Sequence, residues 1–154
     1  MKRLLSGFVL MVVASFAVAQ ESPAIGWTLL DQFDKPYTAN ADLKVLLVAH
    51  GMAGSKLVKA ALADRPQGYL ESRSAAFVAD ISRMPAPISS MFAIPAMRDY
   101  SYRVLLDREP RVASRFPATA DAVTWLQLEQ GKVVASHSFD SSDALRQALE
   151  RGAP

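Results

Sequence analysis

The chain has 154 residues, about half of them apolar, with 17 basic and 15 acidic side chains and no cysteine. That apolar content argues against disorder, and the missing cysteines exclude a disulfide framework, a thiolate metal site and thiol redox chemistry. The formal charge of +2 is carried by Lys2 and Arg3 alone, so the rest is balanced and gives no support for nucleic-acid or membrane-surface binding.

Lys2 and Arg3 open a short basic region, and a largely apolar run follows from Leu4 to Phe16. Ala17-Val18-Ala19 fits the small-x-small pattern of a cleavage site, placed between Ala19 and Gln20. The run is shorter than the about 20 residues a spanning helix needs. Residues 1–19 are therefore expected to be a cleaved export signal and 20–154 a single domain, periplasmic or secreted and free of the membrane after cleavage.

Trp27-Thr28-Leu29-Leu30-Asp31 reads as a short strand, and Gln32-Phe33-Asp34-Lys35-Pro36 as a turn. Val45-Leu46-Leu47-Val48-Ala49 is an unbroken apolar run, the pattern of a strand buried on both faces of a parallel sheet. Ser55 is placed as N-cap of a helix over residues 56–64, with Leu57, Val58, Ala61 and Leu62 on its buried face and Pro66 beyond its end. A second buried strand spans Ala75 to Asp80. Ile88, Met91 and Phe92 fall at helical spacing after Pro87, and the Ile94-Pro95 step is expected to end that helix. Residues 102–107 read as a third strand and 108–115 as a short helix. Residues 123–128 and 133–139 form a hairpin about Gln130-Gly131, and Ser141 or Ser142 caps a closing amphipathic helix.

This order, together with the opening run from Trp27 to Pro36, resembles the thioredoxin-like superfamily, in its peroxiredoxin and thioredoxin-like branch. The run Val104-Leu105-Leu106-Asp107 and the hairpin from Val123 through Gly131 to Val134 extend the resemblance over most of the domain. It implies an α/β three-layer sandwich with a mixed central sheet flanked by helices. Thioredoxins carry their redox cysteines just after the central strand, where this chain reads Gly51-Met52-Ala53-Gly54. Peroxiredoxins place a peroxidatic cysteine on the first turn of the next helix, where Met52, Ser55 and Leu57 stand. Without a thiolate there is no nucleophile for peroxide or a disulfide, so neither family activity is expected.

Strand carboxyl ends are where open α/β sheets hold ligands, which makes His50, Met52, Ser55 and Lys56 the candidate binding residues. The competing reading of His50 is an ordinary strand-end histidine that bonds its loop. Gly51 to Lys56 lacks the spacing of a phosphate loop. His50 and His137 have no carboxylates at matching spacing, so no metal site is expected. Seven arginines and no lysine lie between Arg73 and Arg115, with Tyr100 and Tyr102 available for stacking. Met84, Met91 and Met97 near Phe92 offer an adaptable groove beside the turn.

The expectation is an exported, cysteine-free and non-catalytic domain that binds a protein partner or a small ligand at this turn, with no cofactor. The alternative is a periplasmic enzyme of non-thiol type. It would be a hydrolase using His50 and Ser55, with Asp80 as a conceivable third member, or an oxidoreductase with a bound flavin. No Gly-x-Gly-x-x-Gly run supports a dinucleotide site.

Overall fold

In the computed structural model, which describes residues 25–119 and 121–154, the apolar run Val45–Ala49 is the strand β3 at the centre of a seven-stranded sheet. The leader expected over residues 1–19 lies outside the described residues. Every residue of β3 is buried, because both edges are paired and both faces are covered. On one edge it runs parallel to β4 (Ala75–Asp80), and on the other it pairs antiparallel with β6 (Val123–Glu129).

The sheet order is β2-β1-β5-β4-β3-β6-β7, with β1 at Thr28–Asp31, β2 at Pro36–Thr38, β5 at Leu105–Asp107 and β7 at Lys132–Phe139. Parallel pairs join β3, β4 and β5, and antiparallel pairs complete the rest, which makes the sheet mixed as expected. The edge strand β2 stands where the sequence pattern reads as the end of a turn. Its three residues begin with Pro36, a residue tolerated there because an edge strand can spare the N–H. Gln130 and Gly131 both take positive φ, the geometry of a tight hairpin turn that matches strand twist.

Alternation along β3 divides the core. Val45, Leu47 and Ala49 face a cluster with Val58 of α1 (Met52–Ala61), Leu62 just past its end, Met97 of α4 (Ile94–Met97), and Leu145 and Leu149 of α5 (Ser142–Arg151). Leu46 and Val48 face the opposite cluster, which is closed by Trp27, Leu43, Val112 and Phe116. Among the described residues, the helical cover of that second face is the 3-10 turn Ala113–Arg115. Asp107 is fully buried there, and its carboxylate accepts hydrogen bonds from the Val112 and Ala113 N–H groups at 2.9 and 2.7 Å. Ser141 caps α5, its Oγ accepting from the Ala144 N–H.

Several helix boundaries differ from expectation, the helix over 108–115 shrinking to the 3-10 turn Ala113–Arg115. The helix α1 starts at Met52, after an extended Gly51 that supplies no side-chain cap, and it ends at Ala61 well before Pro66, beyond which a short helix α2 spans Tyr69–Ser72. Ser55 lies inside it, donating its backbone N–H to the Gly51 carbonyl at 3.2 Å. The helix expected to stop at Ile94-Pro95 instead runs on: α3 (Ala86–Ile88) passes through a wide π turn, Ser89–Ala93, into α4. There the Ile94 N–H reaches the Ser89 carbonyl, and Ile94 keeps helical dihedrals although proline follows. Pro95 has no N–H to give to an α-helical ladder, and the wide turn carries the chain past that gap.

Polar contacts fix the β1–β2 turn against the end of α4. Gln32 is buried; its side-chain amide donates to the Tyr102 carbonyl at 2.9 Å and to the Met97 carbonyl at 3.3 Å, and its side-chain oxygen accepts from the Val104 N–H. Asp31 beside it accepts from the Phe33 and Lys35 N–H groups and from Arg103 Nε. Burial alone would raise the Asp31 pKa, but these donors and the Arg103 charge outweigh it and hold the carboxyl below its ordinary value. A folded-state value below the unfolded one means that the stabilisation is complete above the carboxylate range and fades as pH falls through it. Urea unfolding across the acid range should therefore show a stability loss that Asp31→Asn largely flattens; an unchanged acid slope would contradict this assignment.

Candidate functional site

Because β3 and β4 are in parallel register through Ala49 and Ala79, their carboxyl ends place His50 and Asp80 side by side. The start of α1 rises from this edge and is held close to β6. At Gly54 an added Cβ would lie 2.6 Å from the Ala122 carbonyl oxygen and 3.1 Å from the Ala49 Cβ, so only glycine allows this approach.

The four candidate residues flank this junction but do not form one pocket. His50 opens on a cleft of about 370 Å³ with Asp80, Arg83, Thr119 and Asp121. Ser55 and Lys56 line a different cleft of about 250 Å³ between α1 and α4, and Met52, 64% exposed, borders both. The His50 Nε2 is buried without a hydrogen-bond partner among the described residues. Asp80 instead accepts from the Ser82 N–H at 2.9 Å and the Ser82 hydroxyl at 2.6 Å. The Ser55–His50–Asp80 set needed for hydrolysis is therefore not assembled, because a triad requires the histidine to bond both serine and acid.

The smaller cleft is apolar at its floor. Phe77, Ile81, Met84, Met97, Tyr102 and Val104 build it from β4, the connection that follows it, the end of α4 and the segment entering β5. Its charged lining consists of Lys56 and Lys59, with no acidic side chain. The Lys59 Nζ sits 5.0 Å above the Tyr100 ring, which stacks on Tyr102 at 5.1 Å between centroids. Tyr102 is 7% exposed, and its hydroxyl has no hydrogen-bond partner among the described residues. Burial, with the neighbouring Tyr100 adding to it, pushes the Tyr102 pKa far above the ordinary phenol value, so the hydroxyl keeps its proton.

Several sequence expectations change here. The arginines do not stack on Tyr100 or Tyr102; Arg103 lies over Tyr37, and Arg65 and Arg73 over Tyr69. Arg98, Arg103 and Arg108 instead pair with Asp31 and Asp34 around the β1–β2 turn. Met84 and Met97 do line the groove, but Met91 and Phe92 stand on the outer surface, each 67% exposed. Lys59, Tyr100 and Tyr102 were not among the candidates. Lys59 was legible in principle, since it falls three residues after Lys56 and so on the same helical face.

No protein-family model matches the sequence, and no curated protein matches it. Among solved structures the chain is similar to peroxidoxin BcpB from Mycobacterium tuberculosis, with 17% identity, 87% of this chain and 97% of that one covered, and a TM-score of 0.52. A putative thioredoxin from Neisseria meningitidis is similar at 18% identity over 86% of this chain and 91% of its own, with a TM-score of 0.52. The thioredoxin domain of a thiol-disulfide oxidoreductase from Bacteroides vulgatus gives 17% identity, 90% and 100% coverage, and a TM-score of 0.52. Likeness at this level establishes the fold: the chain is thioredoxin-like, and it has no cysteine.

The close approach at Gly54 yields a direct test. Gly54→Ala should lower the urea midpoint by the equivalent of about 1–3 kcal/mol through overpacking, although alanine is the better helix former by about 1 kcal/mol. An unchanged or higher midpoint would contradict the packing of α1 on Ala122.

Proposed function

We propose that this chain is an exported, non-catalytic thioredoxin-like module that binds a protein partner or small ligand at the α1 end of the central strand. The observation that carries this reading is the cleft between α1 and α4. It has an apolar floor and a cationic rim, and it lies where the fold presents its chemistry, yet no thiol stands there. A pocket of that composition orients a ligand by a few polar groups over a hydrophobic surface.

The absence of cysteine removes thiolate attack on peroxide or on a disulfide. The separation of Ser55 from His50 into different clefts removes the hydrolytic arrangement. What is left at the junction suits recognition. Met52 presents a flexible, polarizable side chain over the cleft mouth, a residue type that adapts to varied apolar partners. Export is supported by the basic and apolar leader pattern over residues 1–19 and by the lack of any thiol that an oxidising compartment would act on. Among the described residues no helix is long and apolar enough to cross a membrane.

Native mass spectrometry of the mature protein, isolated from the cell that makes it, tests this reading. The expected result is an added mass, small or polypeptide, that falls at least fivefold in Met52→Glu. A bare chain under conditions that preserve non-covalent complexes would overturn it.

A further inference from the structure

We infer that the cleft between α1 and α4 takes a small amphipathic monocarboxylate, its apolar tail on the methionine and aromatic floor and its carboxylate at Lys56 and Lys59. The inference rests on the binding reading above and names the ligand class of that same site.

Three independent features point to this chemistry. The floor is apolar, with Phe77, Ile81, Met84 and Met97 contributing hydrocarbon and thioether surface. The only charges in the lining are the two lysines, and neither has a carboxylate within ion-pair distance, since every ion pair among the described residues involves arginine. They lie three residues apart on α1, so both ammonium groups stand over one mouth. An anion there meets no acidic neighbour, and a cation would meet two like charges. The third feature is the Tyr102 hydroxyl, buried on a residue that lines the cleft and left without a partner. An orphaned buried donor of this kind costs stability until something satisfies it, and a carboxylate or ether oxygen would accept from it.

Size narrows the class. A volume of about 250 Å³ holds roughly eight groups at about 30 Å³ each, the share of a water-sized group in a liquid. That suits a medium-length acyl chain. The tail lies on the apolar floor and the head stays within reach of the lysines, whose stems can lie along apolar surface.

Nitrogen–proton correlation spectra of the mature protein, titrated with octanoate, test the inference, with octylamine as the probe of equal tail and opposite head. Octanoate should shift the amides of residues 52–59 and 97–104 saturably, and octylamine should bind at least tenfold more weakly. Lys56→Met with Lys59→Met should weaken octanoate at least tenfold while tightening octylamine; Lys56→Met alone should give part of each change. Equal binding of the two probes, shifts confined to other surfaces, or no shift at all would overturn the carboxylate assignment. If octanoate fails while native mass spectrometry shows a polypeptide held through Met52, the ligand class falls and the binding module stands. If octanoate fails and the chain is also bare, both fall.

Discussion

Complete burial of β3 is the constraint on which the rest of the structure depends. A strand with no exposed residue must have both edges paired and both faces covered, and each of those requirements places another element. Pairing with β4 and β6 sets the mixed sheet. Covering one face recruits α1, α4 and α5, and covering the other draws in Trp27, Leu43 and the 3-10 turn capped by Asp107. Deleting a large side chain from such a core costs about 2–5 kcal/mol, so the strand tolerates little change. Its carboxyl end therefore presents the α1 junction in one fixed position. Rigidity of this kind is what a binding surface needs, because a preformed site spends less of its interaction energy on ordering.

The same junction holds its architecture with no thiol in it. The scaffold delivers a helix start and two flanking clefts to the sheet edge. Here Gly51, Met52, Ala53 and Gly54 supply no nucleophile, while Gly54 preserves the close contact with Ala122 that keeps the helix in place. The cleft beside it is completed by Tyr100 and Tyr102, whose position depends on Gln32. That buried amide ties the β1–β2 turn to the Met97 and Tyr102 carbonyls and to the Val104 N–H. A residue remote in sequence thus shapes the cleft wall through the backbone it holds.

Elements with a strong local signal were legible from sequence: the unbroken apolar runs of β3 and β4, the glycine-bearing hairpin of β6 and β7, and the Ser141-capped α5. The start of α1 was not, because cap rules look for a side chain and this helix begins at Gly51 with none. The segment from Ala86 to Met97 misled for a different reason. Ile88, Met91 and Phe92 have the spacing of a buried α-helical face, but the π turn inserts an extra residue and rotates the register by about 100°. Burial passes instead to Ser89, Ile94 and Met97. Of the candidate site, Met52, Ser55 and Lys56 share the apolar cleft and His50 does not. Lys59, Tyr100 and Tyr102 emerged from tertiary packing, since tyrosines after α4 carry no sequence sign that they will meet α1.

The most direct measurement follows the methionine methyl groups by NMR in protein labelled only at those carbons, as octanoate is added. Met52, Met84 and Met97 border the cleft, whereas Met91 is exposed and does not line it, which makes it an internal control. The account predicts saturable shifts of the first three signals with Met91 stationary. A shift of Met91 with the cleft methyls unmoved, or no movement of any of them, would contradict it.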